Sequence, residues 1–266
     1  MRFIEYLSEG RSISITEKEA NKLLKSKDYY DSTYGTPIYR GLENMKERFL
    51  FVRPSKFQRQ SANTDNYYTL LIDNSERWKK FPKRSKSLIC STDIDYASEY
   101  GTVYRVIPKV GSKIGVCSKQ DIWDSFKVYL PLVNDLINKL IDEKNVSNIH
   151  YINDYYDLGD LFLDYDIFRT DISIDIRVHM EEEYNEKELV REILNDLFND
   201  SNYLLSQFIE HLIDGKKTID FFEDILDPNK NNFELVKAGN HKIPKEREVW
   251  TDGDCLLISE EQNEII

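Results

Sequence analysis

The stretch Lys245-Glu246-Arg247-Glu248-Val249-Trp250 sets the reading of this chain. Two glutamates stand two residues apart, followed by apolar Val249 and Trp250. After Asp252-Gly253, a turn pair, comes Cys255-Leu256-Leu257-Ile258, an apolar run with the character of a buried strand. If residues 246–250 are also extended, the two-residue period of a strand puts Glu246 and Glu248 on one face. Neighbouring carboxylates repel. Such a pair belongs on a solvated edge, or where a cation or a developing positive charge is held.

Two stretches far upstream bear on that choice. Thr36-Pro37-Ile38-Tyr39-Arg40-Gly41 reads as a short strand ending in arginine and glycine. Ser87-Leu88-Ile89-Cys90-Ser91-Thr92 reads as a strand ending in two hydroxyls. An arginine strand, a Ser-Thr strand and an E-x-E strand, in that order, resemble the mono-ADP-ribosyltransferases of the arginine–serine–glutamate class. That class includes clostridial-type toxins and phage-encoded transferases. The resemblance covers residues 36–117 and 237–260. It departs from the family pattern at Asp93, where a third hydroxyl is usual, and in the long span from Ser91 to Glu246.

The resemblance implies an α+β fold: a mixed or antiparallel β-sandwich of the ADP-ribosyltransferase type, interrupted by a large helical insertion. It implies NAD as substrate and transfer of ADP-ribose to an acceptor. A first glutamate in the pair goes with an arginine on a protein, and nucleic-acid acceptors also occur among relatives. The transition state has oxocarbenium character, as in glycoside hydrolysis, so the site needs a pyrophosphate clamp and a carboxylate near the developing charge. By the same resemblance Arg40 is the clamp, with Gly41 beside it. Ser91 positions the catalytic glutamate and Thr92 supports the sheet. Glu248 stabilises the cation, and Glu246 deprotonates or orients the acceptor. Arg59 and Asn63, in the polar loop 58–66, are further candidates for NAD contact. The loop 237–244 before E-x-E is where the family selects its target. Two other functions fit the same motifs: a catalytically silent binding or structural module, and an NAD glycohydrolase.

Composition agrees with a globular protein. The chain has 266 residues, 40% hydrophobic and 32% charged, enough for one large domain or two small ones. Its richness in Asn, Ile, Lys, Tyr and Asp suits an AT-rich coding genome. A net charge of −12 disfavours a general polyanion-binding surface, and with it a nucleic-acid acceptor. Lys79-Lys80, Lys83-Arg84 and Lys86 form a local basic cluster that reads as a solvated loop. Three cysteines (90, 117 and 255) without paired spacing point to a reducing compartment and to small core residues. No zinc-ligand pattern is expected. No signal core or run of ~20 apolar residues marks a membrane protein. A cytoplasmic protein is expected, in the host cytoplasm if phage-encoded.

The order of elements follows from local signals. Thr16-Glu17-Lys18-Glu19 is a capping box opening a helix. Asp93 or Asp95 caps a short helix that Gly101 ends, and strands follow at 103–108 and 113–117. From Ser118 the character changes. Apolar residues at helical spacing run from Trp123 to Ile141, and again over 189–198, 204–213 and 221–226. Residues 146–180 give no clear period. The expected organisation is therefore a discontinuous α/β domain, residues 1–117 and 237–266, around a helical insertion at 118–236.

Overall fold

The structure is a computed structural model. It describes residues 12–56, 67–143, 155–179, 186–198 and 203–260. The chain divides into two compact units: residues 1–126 with 228–266, and residues 127–227.

Among the described residues unit one holds nine strands: β1 (Ser12–Ser14), β2 (Ile38–Leu42), β3 (Phe49–Val52), β4 (Leu88–Ser91), β5 (Thr102–Pro108), β6 (Lys113–Val116), β7 (Glu234–Lys237), β8 (Glu248–Thr251) and β9 (Cys255–Ser259). They form one hydrogen-bonded sheet in the order β1-β3-β9-β5-β2-β4-β8-β6-β7, every pairing antiparallel. Among the described residues of the same unit there are four α-helices: α1 (Glu17–Leu24), α2 (Tyr67–Asn74), α3 (Ile94–Ser98) and α4 (Ile122–Ser125). The capping box of α1 is present, with Thr16 and Glu19 bonding reciprocally.

The sheet cannot be flat. Strands β8 and β9 are joined by residues 252–254 but lie four spacings apart in the strand order. Four spacings are about 19 Å across a sheet, and the four Cα steps from Thr251 to Cys255 reach only about 14 Å. The β5–β6 connection makes the same jump. The two turns meet: a Cβ built on Gly253 would lie 2.1 Å from Ser112 Oγ. The bend falls between β2 and β4, which are held by a single pair, Tyr39 with Ser91. Around it one apolar core draws on both halves, including Val52, Tyr104 and Leu257 from one side and Leu88, Ile114 and Val249 from the other. All three cysteines are free and buried. Burial drives the Cys90 thiol up to about 12 and holds Cys117 and Cys255 well above the ordinary thiol range, so they are packing residues.

The outer half of the sheet is backed by aromatics. Trp78 lies against Phe81, Phe126, Phe233 and Trp250, with ring centroids 5.0–6.4 Å apart. Trp250 donates from Nε1 to the Pro82 carbonyl at 2.9 Å. Its indole lies across Gly115, where a Cβ would come within 2.3 Å of the ring. Only glycine lets β6 pass that close.

Unit two is helical: α5 (Leu130–Glu143), α6 (Tyr155–His179), α7 (Glu186–Phe198), α8 (Tyr203–Ile213) and α9 (Thr218–Ile225). Its centre is packed by Leu136 and Leu140 of α5, Leu161 and Phe162 of α6, Leu194 of α7, Phe208 of α8 and Phe222 of α9. Phe162 and Phe222 stack at 4.7 Å. Asp166 caps α9 from a distance, accepting from the Thr218 amide and hydroxyl at 2.8 Å each.

Three expectations are corrected. The helical block is narrower than 118–236, because α4 lies in the sheet unit and β7 is a strand paired with β6. The apolar run from Trp123 to Ile141 is not one helix: α4 ends at Ser125 and α5 begins at Leu130. Pro131 explains the restart, since proline is accommodated in a first turn and excluded from a helix interior. Arg84, read as part of a solvated loop, is only 1% exposed.

Candidate functional site

The bend in the sheet opens a cleft. Past the Tyr39–Ser91 pair, β2 and β4 separate, and α3 packs on β2 at Gly41. A Cβ on Gly41 would meet the Ala97 carbonyl oxygen at 2.1 Å, so this approach too requires glycine. Arg40, Gly41, Ser91 and Glu248 line the space, together with Tyr39, Arg84, Tyr96, Tyr100 and Asp121. The enclosed space between the walls is about 40 Å³, room for a water-sized group or two and well short of a typical small-molecule site, so a larger ligand must lie mostly in the open mouth of the cleft.

Glu248 sits at the floor, on the first residue of β8 and opposite Ser91 in register. It is 7% exposed. Its Oε1 accepts from Arg84 Nη2 at 2.6 Å, and its Oε2 accepts from the Ile122 amide at 3.4 Å. Its backbone is locked as well: its N–H donates to Lys119 O at 3.0 Å and its carbonyl accepts from Cys117 N at 2.9 Å. Arg84 reaches the same point from a 3-10 turn, Arg84–Lys86, whose start is held by Asp73 Oδ1 accepting from the Arg84 amide at 2.6 Å. The Arg84 guanidinium also lies over the Trp250 ring, 5.5 Å from its centroid. Burial works against its charge, but Glu248, joined by Tyr68 and Cys117, more than offsets this and holds it firmly protonated.

Arg40 donates from Nη1 to the Ile89 carbonyl at 2.9 Å, which fixes the side chain against β4. Burial pulls its pKa down, and Cys90, Tyr100 and Glu248 oppose that. Ser91 Oγ accepts from the Asp93 amide at 3.0 Å. Among the described residues the carboxylate of Glu248 is held by Arg84, the Ile122 amide and, at 3.7 Å, the Cys117 thiol, so the positioning expected of Ser91 falls mainly to an arginine. Thr92 braces the chain just before Glu248: it donates to Pro244 O and accepts from the Arg247 amide, both at 3.0 Å. Asp93, in place of a third hydroxyl, caps α3 through the Asp95 amide at 3.0 Å and binds Gln120 Nε2 at 3.1 Å.

Glu246 is a correction. It is exposed, outside β8, with φ +56°, so residues 246–250 are not continuously extended and the two glutamates do not share a face by strand alternation. Arg59 and Asn63 lie outside the described residues. Within the loop 237–244, Ala238, His241 and Ile243 are buried, with His241 Nε2 donating to the Thr36 carbonyl at 3.1 Å. The loop is thus anchored on β2's leading segment.

The sequence reading did not find Arg84 or Asp121 as site residues. Asp121 caps α4, its Oδ1 accepting from the Trp123 amide at 2.8 Å. Burial and the neighbouring Glu248 charge lift its carboxyl to about 6. Among the described residues no group of three metal-ligating side chains comes together, and no helix is long and apolar enough to cross a membrane. Comparison with family models, with curated proteins and with solved structures returned no match.

Proposed function

We propose that the cleft binds NAD and that the chain is a mono-ADP-ribosyltransferase. One observation carries the reading: Arg40, Ser91 and Glu248, scattered over the sequence, line a single cleft where the folded sheet parts. The residue types suit the substrate. Arg40 offers a planar fork for phosphate oxygens. Tyr96 and Tyr100 are aromatic walls for a flat pyridinium ring. Glu248 is a buried carboxylate, able to hold a ribose hydroxyl and to oppose positive charge developing at the anomeric carbon. NAD supplies the activated glycosidic bond. The protein's part is to orient it, keep water out and hold charge in place. An arginine on a protein is the proposed acceptor.

A second reading, the catalytically silent module, draws on the Arg84–Glu248 pair. A carboxylate already bonded to a buried guanidinium has less free charge for catalysis.

Incubation with NAD labelled on nicotinamide and on the adenylate, in the presence of cell lysate, separates the readings. A transferase releases nicotinamide and leaves protease-sensitive, nuclease-resistant label on macromolecules. Release without label is the NAD glycohydrolase result. Neither release nor label means a silent fold.

A further inference from the structure

Glu248 has a second carboxylate for company in the cleft, and it is not Glu246. Asp121 and Glu248 are held by adjacent amides at the start of α4: Ile122 donates to Glu248 Oε2 and Trp123 to Asp121 Oδ1. Asp121 Oδ2 accepts from Tyr96 Oη at 3.4 Å, and Tyr96 Oη in turn accepts from Tyr100 Oη at 3.3 Å. All four side chains line the same space. A wall of two tyrosine hydroxyls therefore leads to a half-buried carboxylate beside the one assigned to the developing cation.

We propose that Asp121 takes the acceptor's proton in this cleft, an assignment that rests on the transferase reading. The acceptor nitrogen bonds to the ribose anomeric carbon as the bond to nicotinamide breaks, its electron pair leaving on nicotinamide. The proton shed by the acceptor passes to Asp121. The groups facing Asp121 tune it for this. Burial and the charge of Glu248 raise its pKa, joined by Asp124 on its own helix, and Arg84 opposes them. Tyr96 donates to it from α3, and the Cys117 thiol nearby is held protonated by burial. A carboxylate tuned to about 6 remains ionised at neutral pH yet is a far better base than an ordinary aspartate.

The test has two arms. Carbon-13 NMR titration of aspartate carboxyls in the full chain without NAD should show one resonance with a midpoint near 6. It should be absent in Asp121→Asn and move to lower pH in Glu248→Gln. Asparagine keeps the helix cap, so Asp121→Asn should fold as wild type while label transfer drops about 100-fold or more. A carboxyl titrating in the ordinary aspartate range, or unmoved by Glu248→Gln, overturns the proposal. An active wild type with an equally active Asp121→Asn overturns the assignment alone. A wild type that cleaves no NAD overturns the transferase reading and the assignment with it.

Discussion

Arg84 Nη2 lies 2.6 Å from Glu248 Oε1, and the two side chains are 1% and 9% exposed. The residues are 164 apart in sequence, so this ion pair ties the turn before β4 to the first residue of β8. It is also expensive. Both charges leave water, and Arg84 Nε and Nη1 have no hydrogen-bond partner among the described residues. A pair of this kind persists where the site gains from a carboxylate held in one place.

Removing one partner should cost more than removing both. Arg84→Met leaves Glu248 buried beside apolar atoms, a change of about 3–5 kcal/mol when a buried pair is broken. The double variant Arg84→Met/Glu248→Met should recover most of that loss. Urea unfolding of the wild type, Arg84→Met, Glu248→Met and the double variant measures the coupling. A double variant whose loss equals the sum of the two single losses would mean that the pair is not coupled in solution.

Gly41→Ala should strain the cleft wall without touching any charge. The added methyl would meet the Ala97 carbonyl oxygen at 2.1 Å and Tyr100 Cβ at 2.8 Å. Neither backbone nor Cβ can swing aside, so α3 must lift off β2, at about 1–3 kcal/mol for an overpacked site. Because α3 carries Tyr96, weaker NAD binding should accompany the fall in urea midpoint.

Much of this molecule could be read from local signals. The Thr16 box, the aspartate cap of α3 (Asp93, of the two candidates Asp93 and Asp95) and the apolar runs of β4, β5 and β9 are properties of a few adjacent residues, and each element falls where its signal stands. The helices α7, α8 and α9 follow their periodic stripes in the same way. What escaped was set by distant partners. Arg84 sits among lysines in a basic stretch, and only Glu248 and Trp250 make it a core residue. Asp121 looks like any helix cap until the fold brings Glu248 beside it. Tyr67–Asn74 is apolar on nearly every side, and such a run does not reveal its helix by period. Glu246 failed for the opposite reason: strand alternation was extended through a residue whose backbone turns left-handed.

Acid should destabilise the fold partly through His241. Burial lowers its pKa below the ordinary value of 6.5, so the unfolded chain takes up the proton first as pH falls through that value. The stability that a neutral His241 provides is intact above 6.5 and declines below it. Asp121 acts oppositely, because its raised carboxyl favours the folded state as pH falls from about 6 toward 3.8. Only the histidine contribution disappears in His241→Gln, whose amide can still donate to Thr36. The loss of urea midpoint between pH 7 and pH 5.5 should therefore be smaller in this variant than in wild type. An unchanged difference would show that His241 is not held neutral by burial.

Glu248→Gln separates charge from shape at the centre of the site. The amide has nearly the same volume, and with its single oxygen turned toward Arg84 it keeps that contact and the Cys117 thiol's, while its NH2 replaces the oxygen that accepted the weaker 3.4 Å bond from the Ile122 amide. The backbone clamp from Lys119 and Cys117 does not involve the side chain. The fold should therefore survive, at the cost of leaving a buried guanidinium with a neutral partner. What is lost, on the transferase reading proposed above, is the negative charge that would face the bond to nicotinamide. A preorganised electrostatic group of this kind is worth about 3–4 kcal/mol, so nicotinamide release should fall roughly 100- to 1000-fold. Release assays with the wild type and the variant, each checked for a cooperative urea transition, make the measurement. A folded Glu248→Gln protein that turns NAD over at the wild-type rate would remove Glu248 from the catalytic centre.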